Sequence, residues 1–311
     1  MNRKSAPGRV WAGMKLSVGF LFALPFLLLL LPVWSIYRWH ERRSGRPLAD
    51  LSWRALWPRR ASAYSCSLPS EAMPMAAKVA VVTGGSSPLG GLICQELARL
   101  GYRVVVGYHR SAAQADALVE AIRGAGGVAQ SFSFDQGEAE QIEQLLDGVE
   151  RLWGVPDLLI NNASLFAPTP LAEATWEGVE RLLRVNLQGP FWLSICVGRR
   201  MGRQRGGQII QLCDIWGERP LAGHAAYSVS KAGLIMATRA LAREMAPAVR
   251  VNGIAPGAII GEGRGFQRLL ARTPLAGEAG PEGVLQAIRY LLTARFVTGE
   301  VLHVDGGRGL V

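Results

Sequence analysis

Seven short apolar runs, near residues 78–83, 103–108, 128–134, 157–161, 208–213, 249–254 and 300–304, alternate with segments whose apolar residues recur at helical spacing. Helices are predicted near 89–100, 112–124, 138–152, 175–203, 224–246 and 281–293. Short apolar runs bounded by turn residues suit strands covered on both faces, and strands joined through helices lie parallel. The pattern predicts a single α/β domain over 76–311: a doubly wound parallel sheet of about seven strands with helices on both faces. Residues 258–280, rich in Gly, Arg and Pro, lack that rhythm. In such an architecture they hang over the carboxyl ends of the strands, and they are predicted to be a loop that serves as a substrate lid.

The first 75 residues read differently. Leu16 to Tyr37 is an apolar run of 22 residues, sufficient to cross about 30 Å of hydrocarbon as a helix. No small-residue cleavage site follows it closely, which disfavours a removed signal peptide. Basic residues flank both ends, so two readings stand: an uncleaved N-terminal anchor holding a cytoplasmic domain at the inner face of the membrane, or a start assigned upstream of the true one, since Met73 and Met75 stand just before the first strand. The formal charge of +10 is concentrated here: residues 1–75 hold 11 Lys/Arg against 3 Asp/Glu, a balance of +8, leaving +2 for the remainder. The globular part thus carries no electrostatic footprint for DNA or RNA. Cys66, Cys94, Cys196 and Cys213 are scattered without ligand spacing or a nearby His, and read as small core residues with no metal site.

Chemistry is concentrated in D-I-W-G-E-R-P-L-A-G-H-A-A-Y-S-V-S-K, Asp214 to Lys231. Tyr227 and Lys231, four apart on a predicted helix, leave one face together. A phenol titrating near about pH 10 needs help to exchange a proton near neutrality, and an adjacent ammonium has the sign to lower its pKa. Upstream lie Thr83-Gly84-Gly85-Ser86-Ser87-Pro88-Leu89-Gly90 after an apolar run, Asn161-Asn162-Ala163 after another, and Asn186; downstream come Pro256-Gly257. In this order the set resembles the short-chain dehydrogenase/reductase family, from Lys78 to the end of the sequence, which implies a Rossmann-like fold and a nicotinamide nucleotide.

A glycine-rich turn opening a helix cradles a pyrophosphate on main-chain amides. Thr83, Gly84, Ser86, Ser87, Leu89 and Gly90 are therefore candidate cofactor residues, with Pro88 a departure that fits a first helical turn. After the second strand, His109-Arg110-Ser111 stand where an NAD enzyme carries an acid, and no acid occurs before Asp116. The guanidinium fork of Arg110 suits a 2′-phosphate, so NADPH is expected. By the family resemblance, Asp135, Asn162 and Ala163 line the adenosine side, Pro256 and Gly257 pass the carboxamide, and Lys231 and Tyr227 meet the nicotinamide ribose.

The resemblance further implies that Tyr227 donates the proton, that Lys231 lowers its pKa, and that Asn186 interrupts its helix to hold a relay water. Where the family carries a serine, 13 residues before the tyrosine, this chain has Asp214. An ionised carboxylate opposes alkoxide-like charge, whereas a carboxyl suits a substrate protonated at nitrogen. Pteridine and dihydromonapterin (dihydrofolate) reductases of the family share that departure, and Tyr108 to Ala113, Asn162 to Phe166 and Pro168 to Pro170 resemble their segments. The likeness assigns Ser164 to contact a pterin and Phe166 to stack it against nicotinamide. The expectation is an NADPH-dependent dihydropterin reductase forming a homotetramer through the two long helices. The alternatives are a ketone or 3-oxoacyl thioester reductase, a regulator that binds nucleotide without turnover, and Asp214 as a loop cap.

Overall fold

The computed structural model describes residues 77–276 and 280–311. All seven strands pair in one parallel sheet: β1 (Val79–Val82), β2 (Arg103–Tyr108), β3 (Val128–Ser133), β4 (Leu158–Asn161), β5 (Gly207–Leu212), β6 (Val249–Pro256) and β7 (Val301–Val304), in the order β3-β2-β1-β4-β5-β6-β7. The order reverses between β1 and β4, so the connecting helices diverge there and leave a crevice at the carboxyl ends. The leader, its 16–37 segment and Cys66 lie outside the described residues. Among the described residues, no helix is long and apolar enough to cross a membrane.

The helices are α1 (Pro88–Arg99), α2 (Ala112–Gly124), α3 (Ala139–Trp153), α4 (Trp176–Leu183), α5 (Gly189–Gly202), α6 (Ala225–Met245), α7 (Gly263–Leu270) and α8 (Glu282–Thr293). Successive strand residues point to opposite faces, and both are apolar. Ala80, Val82, Val104 and Val106 join α1, α2 and α8 in one core, while Val79, Val81, Val105 and Ile209 join α3, α5 and α6 in the other. Cys94, Cys196 and Cys213 are buried free thiols, as read.

Two predicted boundaries need correction. The helix expected over 175–203 is broken by a π-helical turn, Arg184–Gln188, between α4 and α5. Pro190 has no N–H, so the main-chain carbonyl of Asn186 lacks its α-helical partner and the turn widens. The expected loop 258–280 contains α7, whose Phe266, Leu269 and Leu270 turn partly inward while Arg264, Gln267 and Arg268 face solvent. Eight residues that open on two glycines, Gly263 and Gly265, carried too little periodicity to be seen in sequence.

Glu96 of α1 is 5% exposed and accepts from Arg289 of α8 at 2.6 Å, with Arg99 as a second partner. The Arg289 hydrogen bond holds its carboxyl below the ordinary value against the opposing effect of burial. A depressed acid stabilises the fold above its unfolded pKa of about 4.3, and that contribution is lost as pH falls through the lower folded value. Glu96→Gln should therefore flatten the acid limb of a stability curve followed by chemical denaturation from pH 3 to 7. A limb as steep as that of the parent would remove Glu96 as a contributor.

Candidate active site

The glycine-rich turn is built by close approach. Gly84 has φ +60°, and a Cβ there would meet the Cα of Ala163 at 2.9 Å, while one on Gly90 would meet the Gly84 carbonyl at 2.2 Å. Only glycine lets α1 begin this close to β1. Ser87 caps α1, its hydroxyl accepting from Gly90 N at 3.1 Å, and Pro88 occupies the first turn without loss of a bond. Three of the expected cofactor residues turn their side chains inward. The Thr83 hydroxyl, fully buried, accepts from Asn162 N at 3.1 Å and Ala163 N at 2.9 Å. The Asn162 side chain donates to the carbonyls of Thr83 at 2.9 Å and Gly84 at 3.0 Å. Leu89 packs against the core beneath the turn. These residues shape the turn; they do not line the cleft.

A cleft of about 720 Å³ opens at the β1/β4 reversal, lined by Gly84, Ser86, His109, Arg110, Ser111, Asp135, Ala163 and Ser164, with Glu177, Arg181 and Arg184 on the far wall. A shallower depression of about 550 Å³ beside it holds Ser86, Ser87 and Ser111. Arg110 is exposed at the rim. Asp135 accepts from Gly137 N at 2.8 Å and lies 3.6 Å from His109.

Gln136, which sequence reasoning missed, lines the same cleft at 6% exposure. Its amide donates to Val185 O at 2.7 Å and Ala163 O at 3.3 Å, leaving a buried Oε1 without a partner among the described residues. A polar residue three positions past the edge strand β3 was the available signal. The cleft is lined by both acids and bases, with Glu138 and Glu180 beside Arg181 and Arg184; an orphaned acceptor, a turn that a single Cβ would fill and Arg110 at the rim together fit a phosphorylated nucleotide. Pro256 and Gly257 end β6 away from this cleft. Gly257 N donates to Val304 O at 3.0 Å, and its missing side chain admits Asp305, whose Cα a Cβ would meet at 2.9 Å.

Beside the cleft, α6 carries Tyr227 and Lys231, 4% and 3% exposed. The Tyr227 hydroxyl donates to Asp214 Oδ2 at 2.6 Å, and Asp214 Oδ1 accepts from Trp216 N at 3.0 Å as the cap of a 3₁₀ turn, Ile215–Gly217. Asp214 is thus both loop cap and partner of the phenol. Burial raises its pKa. Burial and then Asp214 raise that of Tyr227, while the Ser164 hydroxyl works the other way.

Lys231 is anchored on the main chain. Its ammonium donates to Leu212 O at 2.8 Å and stands 5.8 Å from the Tyr227 ring centroid, and burial lowers its own pKa. Burial and Asp214 both favour the protonated phenol. Asn186 stands at the break between α4 and α5. It interrupts the helix, yet its side chain is fully engaged: Oδ1 accepts from Leu165 N at 2.7 Å and Ser164 Oγ at 3.3 Å, and Nδ2 donates to Leu165 O at 2.8 Å and Ser230 Oγ at 3.2 Å. A relay water here would have to use the main chain of the π-turn. The side chain instead clamps the segment bearing Ser164.

Phe166 is 58% exposed, stands edge-on to Tyr227 with centroids 4.9 Å apart, and stacks on His224 at 4.6 Å and 15°. The arrangement can deliver a proton from a buried phenol backed by a carboxyl, next to a flat apolar surface and a nucleotide-sized cleft.

Comparison with known proteins agrees with this geometry. The family model described as short chain dehydrogenase matches residues 78–265. A 3-oxoacyl-[acyl-carrier-protein] reductase of Synechocystis is 35% identical over 240 residues, 75% of this chain and 97% of that protein. An uncharacterized oxidoreductase of Methylorubrum extorquens is 35% identical over 242 residues, covering 74% and 97%. The crystal structure of a dehydrogenase/reductase from Sinorhizobium meliloti superposes with a TM-score of 0.71 at 32% identity, covering 75% of this chain and 96% of that one.

Proposed function

The chain belongs to the short-chain dehydrogenase/reductase family, whose members use nicotinamide nucleotides, and from that premise we propose an NADPH-dependent reductase of a dihydropterin of biopterin, monapterin or folate type. One observation carries the substrate class: the Asp214 carboxyl is aimed at the Tyr227 hydroxyl, 2.6 Å away. A carboxylate beside a developing alkoxide would raise the barrier of ketone reduction. Beside a ring nitrogen that gains a proton, the same group stabilises the donor and can replace its proton.

NADPH, when bound in the cleft, would supply hydride chemistry toward the carbon of a C=N bond. Tyr227 gives its hydroxyl proton to the adjacent nitrogen, and the phenolate recovers a proton from solvent through Asp214. Ser164 and Phe166 position the ring, Phe166 as a flat platform. Lys231, fixed on Leu212 O, presents a charge to the nicotinamide ribose. Arg110, with Ser111, takes the 2′-phosphate at the cleft rim.

A second reading, reduction of a 3-oxoacyl thioester, is favoured by the names of relatives such as the Synechocystis and Staphylococcus aureus reductases. Assay of the full chain with NADPH and either 7,8-dihydrobiopterin or an acetoacetyl thioester separates the two. Turnover of the thioester alone ends the pterin reading. For the cofactor, Arg110→Asp should lower kcat/KM for NADPH on the order of 100-fold and leave NADH within a few-fold; an equal loss for both would remove Arg110 from the 2′-phosphate.

Association and location extend the same reading. Phe191 and Trp192 on α5 and Val229 and Met236 on α6 are exposed, an apolar surface suited to pairing these helices between four copies. Sedimentation of the full chain in detergent should give a four-chain mass; a monomer would overturn it. We place the domain in the cytoplasm, where reduced nucleotide is supplied.

A further inference from the structure

His224 has no part in the roles assigned above, yet its ring lies against the platform. It stacks on Phe166 with centroids 4.6 Å apart and planes 15° from parallel. Rings in contact are separated by about 3.5 Å, so this centroid distance leaves the imidazole displaced by about 3 Å and covering part of the Phe166 face. Phe166 as a whole is 58% exposed, leaving ring surface for a ligand.

His224 is also held in place. Thr169 pairs with it across a parallel bridge, Thr169 N donates to Gly223 O at 2.6 Å, and Ala226 N donates to the Thr169 hydroxyl at 3.2 Å. Its Nδ1 lies 3.1 Å from Ala222 O. A carbonyl only accepts, so Nδ1 carries the hydrogen and Nε2 of the neutral ring is an acceptor, with no partner among the described residues.

A second flat ring laid on the open part of Phe166 shares a layer with the imidazole. It meets that ring edge to edge, where in-plane hydrogen bonds form. From these positions we infer that His224 is a substrate-binding residue whose Nε2 accepts from the N–H or amino edge of a planar nitrogen heterocycle. The inference rests on the pterin reading and deepens it: Tyr227 serves the reacting nitrogen, and His224 recognises the donor edge of the same ring. A ketone or thioester carries no such edge.

The test compares KM for 7,8-dihydrobiopterin with KM for its 2-desamino analogue in the full chain, His224→Phe and His224→Gln. Phenylalanine keeps the stack and removes the acceptor; glutamine keeps an acceptor. The parent should favour the amino compound on the order of tenfold. His224→Phe should bring the ratio to about one with KM for NADPH unchanged, and His224→Gln should keep most of the preference. A ratio as large in His224→Phe as in the parent overturns the assignment. Should His224→Phe fail to fold, loss of the preference in His224→Gln overturns it equally. If the parent does not reduce dihydrobiopterin at all, the pterin reading fails first and this inference with it.

Discussion

Replacing Tyr227 by phenylalanine should lower kcat for dihydropterin reduction by about 10²- to 10⁴-fold and leave NADPH binding within a few-fold of the parent. The expectation follows from the surroundings of the hydroxyl. It is buried, donates to a carboxylate, and is kept protonated by burial first and Asp214 second. Phenylalanine retains the edge contact with Phe166, so the platform survives while the acid is lost. Single-turnover rates with saturating NADPH isolate the chemical step from product release. An unchanged rate would assign the proton to solvent and leave Tyr227 as packing.

Asp214 gives the second large effect, and it bears on substrate choice. Asp214→Asn should reduce dihydropterin turnover on the order of 10²- to 10³-fold, because the amide has no proton to return to the phenolate. It should also move the alkaline limb of kcat/KM to lower pH: the charge that helps to hold the Tyr227 proton is removed, so the phenol ionises sooner. Asp214→Ser should raise turnover of an acetoacetyl thioester, since a neutral donor replaces a group that repels the developing oxyanion. If the parent reduces the thioester well and Asp214→Ser slows it, the electrostatic argument is refuted and the relatives' names point to the right substrate.

Much of the nucleotide side was legible because its constraints are local. A turn in which one Cβ on Gly90 would strike the Gly84 carbonyl admits only glycine, and a helix starting there admits Ser87 and Pro88. The roles within that turn were less legible. Thr83 and Asn162 occur in the motif because they brace the turn against β4, a contact between residues 79 apart, and residue type does not say whether a polar side chain faces inward or into a cleft. Gln136 and His224 were missed for a related reason. Each acquires its chemistry from neighbours supplied by other elements, Ala163 and Val185 for one and Phe166 for the other.

The sequence by itself determined the parallel sheet, the order of its strands and helices and the residue types gathered at the carboxyl ends, because periodicity and turn chemistry act between near neighbours. Only the tertiary structure decided which groups the phenol and the ammonium meet. That Tyr227 pairs with Asp214 while Lys231 turns to the Leu212 carbonyl depends on distances of a few ångströms between β5, its following turn and α6. The shared face of Phe166 and His224 was decided there as well, where packing fixes which groups meet.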